Sequence, residues 1–98
     1  GSRSLLLAQR VLNKVPIPVF GISEEKIIVM ANEAAHQLLG REDLVGNFAD
    51  ELLSESICHA LDRGVFKNES IEWLSLNKTA SLIPIGDNDL KCTCITLA

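Results

Sequence analysis

Basic residues are scarce in this sequence. Nine lysines and arginines stand against 13 aspartates and glutamates, for a net charge of −4. Phosphate binding needs clustered cations, so this balance disfavours a nucleic-acid partner. Long apolar runs are missing too. Nothing approaches the roughly 20 residues of a membrane helix, and no secretory signal is present, so no membrane contact is expected of this segment. Cysteine is limited to Cys58, Cys92 and Cys94. An odd count completes no disulfide framework and fits a reducing cytoplasm. Cys92 and Cys94 would share a strand face about 6.6 Å apart, at the limit of disulfide reach. No second pair stands at zinc spacing, so they read as ordinary thiols and no metal is expected. Gly40, Gly46 and Gly64 are stop and turn residues, and they form no phosphate-cradling G-x-G-x-x-G.

What is present suits one globular domain, with 47% apolar and 22% charged residues in 98. From Ser4 to Val15 the period is helical. At roughly 100° per residue, Leu5, Leu7, Ala8, Val11, Leu12 and Val15 share one broad side. Gln9, Arg10, Asn13 and Lys14 take the other, with Leu6 projecting among them. Either this helix covers the domain's own sheet or it pairs with a second copy. The homodimer contact would then comprise Leu5, Leu6, Ala8, Val11, Leu12 and Val15.

Pro16 and Pro18 end that helix and open an extended run. Val19 to Ile22 and Lys26 to Met30 read as an antiparallel pair around Ser23-Glu24-Glu25. Phe20, Ile22, Ile28 and Met30 form one apolar set, and Val19, Ile27 and Val29 form another. Both faces therefore need cover. Asn47 to Leu53 reads as a connection, and Ser54 caps a helix from Glu55 to Arg63 that Gly64 ends. Three strands follow. Ser70 to Leu76 turns at Asn77-Lys78 into Thr79 to Ile85, where Pro84 suits a strand end or an edge. A loop at Gly86-Asp87-Asn88-Asp89 leads into Leu90 to Leu97. Strands parted by a helical insertion give an α+β domain, an antiparallel sheet with short helices grouped on one face.

The most informative stretch runs from Met30 to Gly46. A strand ends where Asn32 can cap the helix Glu33 to Leu39, and Gly40 supplies the left-handed residue that stops it. A second helical turn, Glu42 to Val45, closes on Gly46. Asn32, Ala34, Ala35, Leu39, Gly40, Leu44 and Gly46 stand where the PAS sensor family places them, and the chain resembles that family from Val15 onward. Pro84-Ile85 before the last strand is similar as well. Arg41-Glu42 replaces the family's Tyr-Ser, and the first hairpin lacks its usual glycine. The resemblance implies a five-stranded sheet of order 2-1-5-4-3. Gly1-Ser2 reads as a cloning scar (1–2), and the resemblance divides the rest into an N-terminal flanking and dimerisation helix (3–15) and a PAS domain (16–98). It also implies an effector domain elsewhere in the same polypeptide, such as a histidine kinase, a diguanylate cyclase or a transcriptional regulator.

Catalysis needs a nucleophile, an acid–base pair or a metal in a pocket. His36 lies roughly 130° and His59 roughly 150° from the buried side of their helices, so both should face water. Haem-binding members of the family take their axial histidine from the later helix, where His59 points outward. Haem is therefore not expected. Flavin photosensors carry a reactive cysteine in a segment that here reads Gly46-Asn47-Phe48-Ala49-Asp50-Glu51, so their photochemistry is excluded. The acidic residues Glu42, Asp43, Asp50, Glu51 and Glu55 suit a solvated face near helix starts.

What remains is an interior cavity between sheet and helices. Its expected lining is Phe20, Ile22 and Met30 from the strands, Leu38, Leu39, Leu44 and Phe48 from the first helices, and Leu52, Ile57, Leu61 and Trp73 beyond. A small apolar metabolite is the ligand class this lining admits. Large aliphatic side chains at ordinary density also fill such a space themselves. The chain thus reads as a cytoplasmic, non-catalytic sensory and dimerisation module. A ligand-free interaction module with a filled core is the alternative.

Overall fold

The computed structural model describes residues 2–86 and 90–98. Gly1 and residues 87–89 of the expected Gly86–Asp89 loop lie outside them. The elements in chain order are α1 (Ser2–Lys14), β1 (Val19–Ser23), β2 (Ile28–Ala31), α2 (Glu33–Leu39), α3 (Ala49–Leu52), α4 (Glu55–Arg63), β3 (Glu69–Trp73), β4 (Lys78–Gly86) and β5 (Lys91–Leu97). The strands form one antiparallel sheet of order β2-β1-β5-β4-β3, the order the family resemblance implies.

One face of this sheet carries the core. Phe20, Ile22, Ile28, Leu82, Ile95 and Leu97 are all buried there, in contact with Ala35, Leu44, Ala49, Ile57 and Ala60 from the helical insertion. The short helices are held by their termini. Asn32 caps α2 through its side chain, and Gly40 ends it at φ 65°. Ser54 caps α4, which stops at Gly64. Pro84 lies past the stretch of β4 that pairs with β3, where its missing N–H leaves no gap between those two strands.

Three expectations are corrected. The first concerns Glu42 to Val45, which is not helical. Backbone groups just after it pair with the free edge of β2 instead. Gly46 N–H donates to the Ile28 carbonyl (2.8 Å), Ile28 N–H to Asn47 (2.9 Å) and Ala49 N–H to Lys26 (2.8 Å). This covers an edge that would otherwise be open, and the expected connection from Asn47 to Leu53 contains the single turn α3. The second concerns the strand read as Ser70 to Leu76. It stops at Trp73 and continues as a 3₁₀ turn, Leu74–Leu76, closed by Asn77 in the left-handed region at φ 52°.

The third correction is a β-bulge. Gly21 pairs with Met30 but Ile22 pairs with Ile28, so Val29 is an extra residue. A bulge reverses the alternation beyond it. Met30 therefore leaves the core face, and a Cβ placed on Gly21 would lie 3.3 Å from that of Met30 on the outer side. Ala31 takes the inward position instead, at 5% exposure. We expect Ile28→Ala to cost about 3 kcal/mol and Met30→Ala about 1 kcal/mol or less, measured by urea denaturation. Equal losses would place Met30 back in the core.

Candidate functional site

Two regions join elements that are distant in sequence. The first is centred on Asn32, which is fully buried. Its side-chain oxygen accepts from Val19 N–H (2.9 Å) and Ala35 N–H (3.0 Å). Its amide nitrogen donates to the carbonyls of Leu12 (3.1 Å), Val15 (3.3 Å) and Ile17 (2.9 Å). One side chain thus ties the end of α1, the start of β1 and the first turn of α2 together. Asn13 on α1 reinforces the junction by accepting from Glu33 N–H (3.0 Å). The capping role was legible in the sequence, whereas the three carbonyl contacts were not. The available signal was the choice of Asn over Asp, Ser or Thr, because only the amide adds an NH₂ donor to the capping oxygen.

The second region is a groove of about 700 Å³ at the end of the sheet. The hairpin between β1 and β2, the end of α4 and the ends of β4 and β5 enclose it. Ile22, Leu61, Val65 and Pro84 contribute apolar surface, while Ser23 and Thr93 contribute hydroxyls. Lys26 stands in the hairpin at φ 63°, a left-handed position where glycine is usual. Its Nζ lies 3.1 Å from Asp62 Oδ1 on α4, so an ion pair spans the groove from one wall to the other. Both partners are partly exposed, which keeps the pair's contribution small.

Nine of the eleven residues expected to line an interior cavity belong to the core cluster or pack against it. Phe20, Ile22, Leu44, Ile57 and Trp73 are buried in that cluster, with Leu38, Leu39, Leu52 and Leu61 packed against it. Met30 is on the opposite face, and Phe48 is about half exposed beside its bridge to Ile27. Of the eleven, only Ile22 and Leu61 also reach the groove. His59 is exposed, and half-buried His36 donates from Nδ1 to the Arg41 carbonyl (3.0 Å). Among the described residues, no three His, Cys, Asp or Glu side chains are placed to share a metal.

No family model matches the chain, and no curated protein matches its sequence. Solved structures do. The chain is similar to the PAS domain of an HTR-like protein from Haloarcula marismortui. That match has a TM-score of 0.70 at 12% identity, over 100% of this chain and 98% of that one. A sensory box sensor histidine kinase from Vibrio cholerae gives 0.69 at 18%, over 98% and 90%. The fold is that of a PAS domain. A structure of the E. coli DhaR(N)–DhaL complex gives 0.72 at 18%, over 98% of this chain and 36% of that one.

Within the PAS fold, the expected N-terminal flanking helix is α1. It meets the domain through its C-terminal end, where Leu12 and Val15 are half-buried. The other half projects, leaving Leu5, Leu6, Leu7 and Val11 between 56% and 75% exposed. Of the cysteines, Cys58 lies on α4 and Cys92 and Cys94 on β5, all half-buried and free. Burial, aided by Asp50, Asp62 and Glu55, pushes the Cys58 thiol above its ordinary value. Burial, with Cys92 beside it, does the same for Cys94.

Two outcomes follow from these contacts. Asn32→Asp keeps the cap but sets a carboxylate against three carbonyls, and should cost about 3 kcal/mol at neutral pH. That buried carboxyl titrates high, so urea midpoints should recover partly as pH falls towards 4; an unchanged midpoint at pH 7 would refute the network. Cys58 and Cys94 should resist iodoacetamide at pH 7.5 while a free thiol standard is consumed, as read by peptide mass spectrometry. The folded state holds these protons more tightly than the unfolded chain. Their contribution to stability should therefore fall as pH rises through the ordinary thiol range near 8.5.

Proposed function

We propose that this chain is a regulatory PAS domain of a larger cytoplasmic signalling protein. It dimerises through α1 and passes a conformational bias to an effector domain in the same polypeptide. The sensor histidine kinase among its structural neighbours supports the signalling reading, and the DhaR(N)–DhaL complex is a neighbour solved with a partner protein. The histidine kinase, diguanylate cyclase and transcriptional-regulator classes all remain suitable effectors. Catalysis is assigned to that effector.

The observation that carries this reading is the contrast within α1. One end is fixed by hydrogen bonds from the buried Asn32, while its other end presents Leu5, Leu6, Leu7, Ala8 and Val11 to solvent. A row of exposed leucines and valine on one helix is a contact surface in need of a partner. Pairing two such helices buries it, and Asn32 links each paired helix directly to β1 and α2. A change in how the insertion packs would then alter the angle at which α1 leaves the domain. A ligand moves such an equilibrium only by its difference in affinity for the two packings.

The filled-core interaction module has one observation in its favour, the close mutual burial of Phe20, Leu44, Ile57 and Leu82. Mass spectrometry of extracts from freshly purified protein separates the two. A stoichiometric small molecule supports sensing, and empty extracts support scaffolding.

Val11→Glu should convert a dimer into a monomer in sedimentation while leaving the monomer's unfolding free energy in urea within about 0.5 kcal/mol, since Val11 is 58% exposed. A variant that stays dimeric would move the interface elsewhere.

A further inference from the structure

We propose that Cys92, Cys94 and Met30, on the outer face of the sheet, bind a soft monovalent metal ion, Cu(I) or Ag(I), through two thiolates and one thioether. The faces of β5 alternate. Ile95 and Leu97 are buried on the core side, so Cys92 and Cys94 stand together on the other. Both are free and half-buried. Cys94 lies between Gly21 of β1 and Ile83 of β4, and Cys92 between Ser23 and Ile85.

The third sulfur is supplied by the β-bulge. The extra residue Val29 turns Met30 to the outer face, and Gly21 pairs with Met30 on one side and Cys94 on the other. Gly21 has no side chain to occupy the middle of that row. Met30 covers it instead, since a Cβ built on Gly21 would stand 3.3 Å from Met30 Cβ and 3.5 Å from Met30 Cε. With both ends of its side chain there, the thioether arches over Gly21. One strand spacing, about 4.8 Å, separates Gly21 from Cys94, a gap that the flexible methionine side chain spans.

Spacing selects the chemistry. Cα atoms two residues apart on a strand are about 6.6 Å apart, too wide for the sulfur–sulfur bond of about 2.05 Å without distortion. Two sulfurs on one ion, at about 2.3 Å each, stand up to about 4.6 Å apart, so each thiol need lean in by only about 1 Å. Thiolate and thioether donors favour Cu(I). Among the described residues, no three His, Cys, Asp or Glu side chains gather, so Zn(II) and hard cations find no ligand set there. Binding displaces two thiol protons and transfers no electron. Burial and the neighbouring Cys92 hold the proton on Cys94, so affinity should rise with pH as that competition weakens. An occupied site would tie β2 to β5 across β1.

The test uses the reduced 98-residue chain without oxygen, with Cu(I) supplied as its coloured bicinchoninate complex. The protein should bleach that complex and carry one ion per chain in native mass spectrometry. Cys94→Ser should weaken binding by about a hundredfold and Met30→Leu by about tenfold, whereas Cys58→Ser on α4 should change nothing. Amide NMR reports that each variant is folded, and Ag(I) should shift Gly21, Met30, Cys92 and Cys94 in the unsubstituted chain. Failure to withdraw copper, or withdrawal that survives Cys94→Ser, would overturn the site. Unchanged affinity in Met30→Leu would overturn the three-sulfur donor set, and one ion per two chains would overturn a site within one copy. These readouts do not depend on pairing through α1 or on signalling, so the proposed function and this site fail separately.

Discussion

The attachment of α1 to this domain centres on the carboxamide of Asn32. Two backbone N–H groups and three carbonyls from three segments converge on one buried side chain. A buried polar group of this kind is costly unless every bond is made, which is why such networks fix one arrangement sharply. Apolar packing alone would let α1 slide over the sheet by fractions of a turn. The amide permits one seating only, because its donors and acceptor are not interchangeable. The end of α1, the start of β1 and the cap of α2 therefore behave as a single joint.

Around that joint, sheet and helices divide the labour. The sheet is rigid where β1, β5 and β4 lie side by side with Phe20, Ile95 and Leu82 beneath. The helical insertion adds mostly small or aliphatic residues, Ala35, Ala49, Ala60, Leu44 and Ile57, and its helices are short. Helices of four to nine residues are not stable alone, and their positions depend on caps and on the core they cover. Small differences in what lies beneath or beside them can thus alter their packing at modest cost. The groove lies where this adaptable layer meets the more rigid one.

Much of this was legible in the residues. Asn32, Gly40, Ser54 and Gly64 mark helix ends by local chemistry, and local chemistry survives folding unchanged. The bounds of α2 and α4 are as the sequence reads. Misreadings arose where tertiary pairing overrode local preference. Glu42 to Val45 has helical character, but its neighbours satisfy the edge of β2. Met30 follows a clean alternation in sequence, yet Val29 adds a residue that only the partner strand reveals. Hydrophobicity identifies core residues and does not tell a filled core from a hollow one. The groove is not legible in the sequence, since its described walls come from residues 22–24, 26, 61–66, 84–86 and 91–93.

Relatives of this chain that lack the extra residue at Val29 will be one position shorter between the first hairpin and the capping asparagine. An ungapped alignment would set their inward residue opposite Met30 and lose Asn32 from its counterpart. The gap belongs immediately after Ile28. Placed there, it keeps the small inward residue at position 31 and the asparagine in step. Distant sequences that look unrelated across this short strand then become comparable.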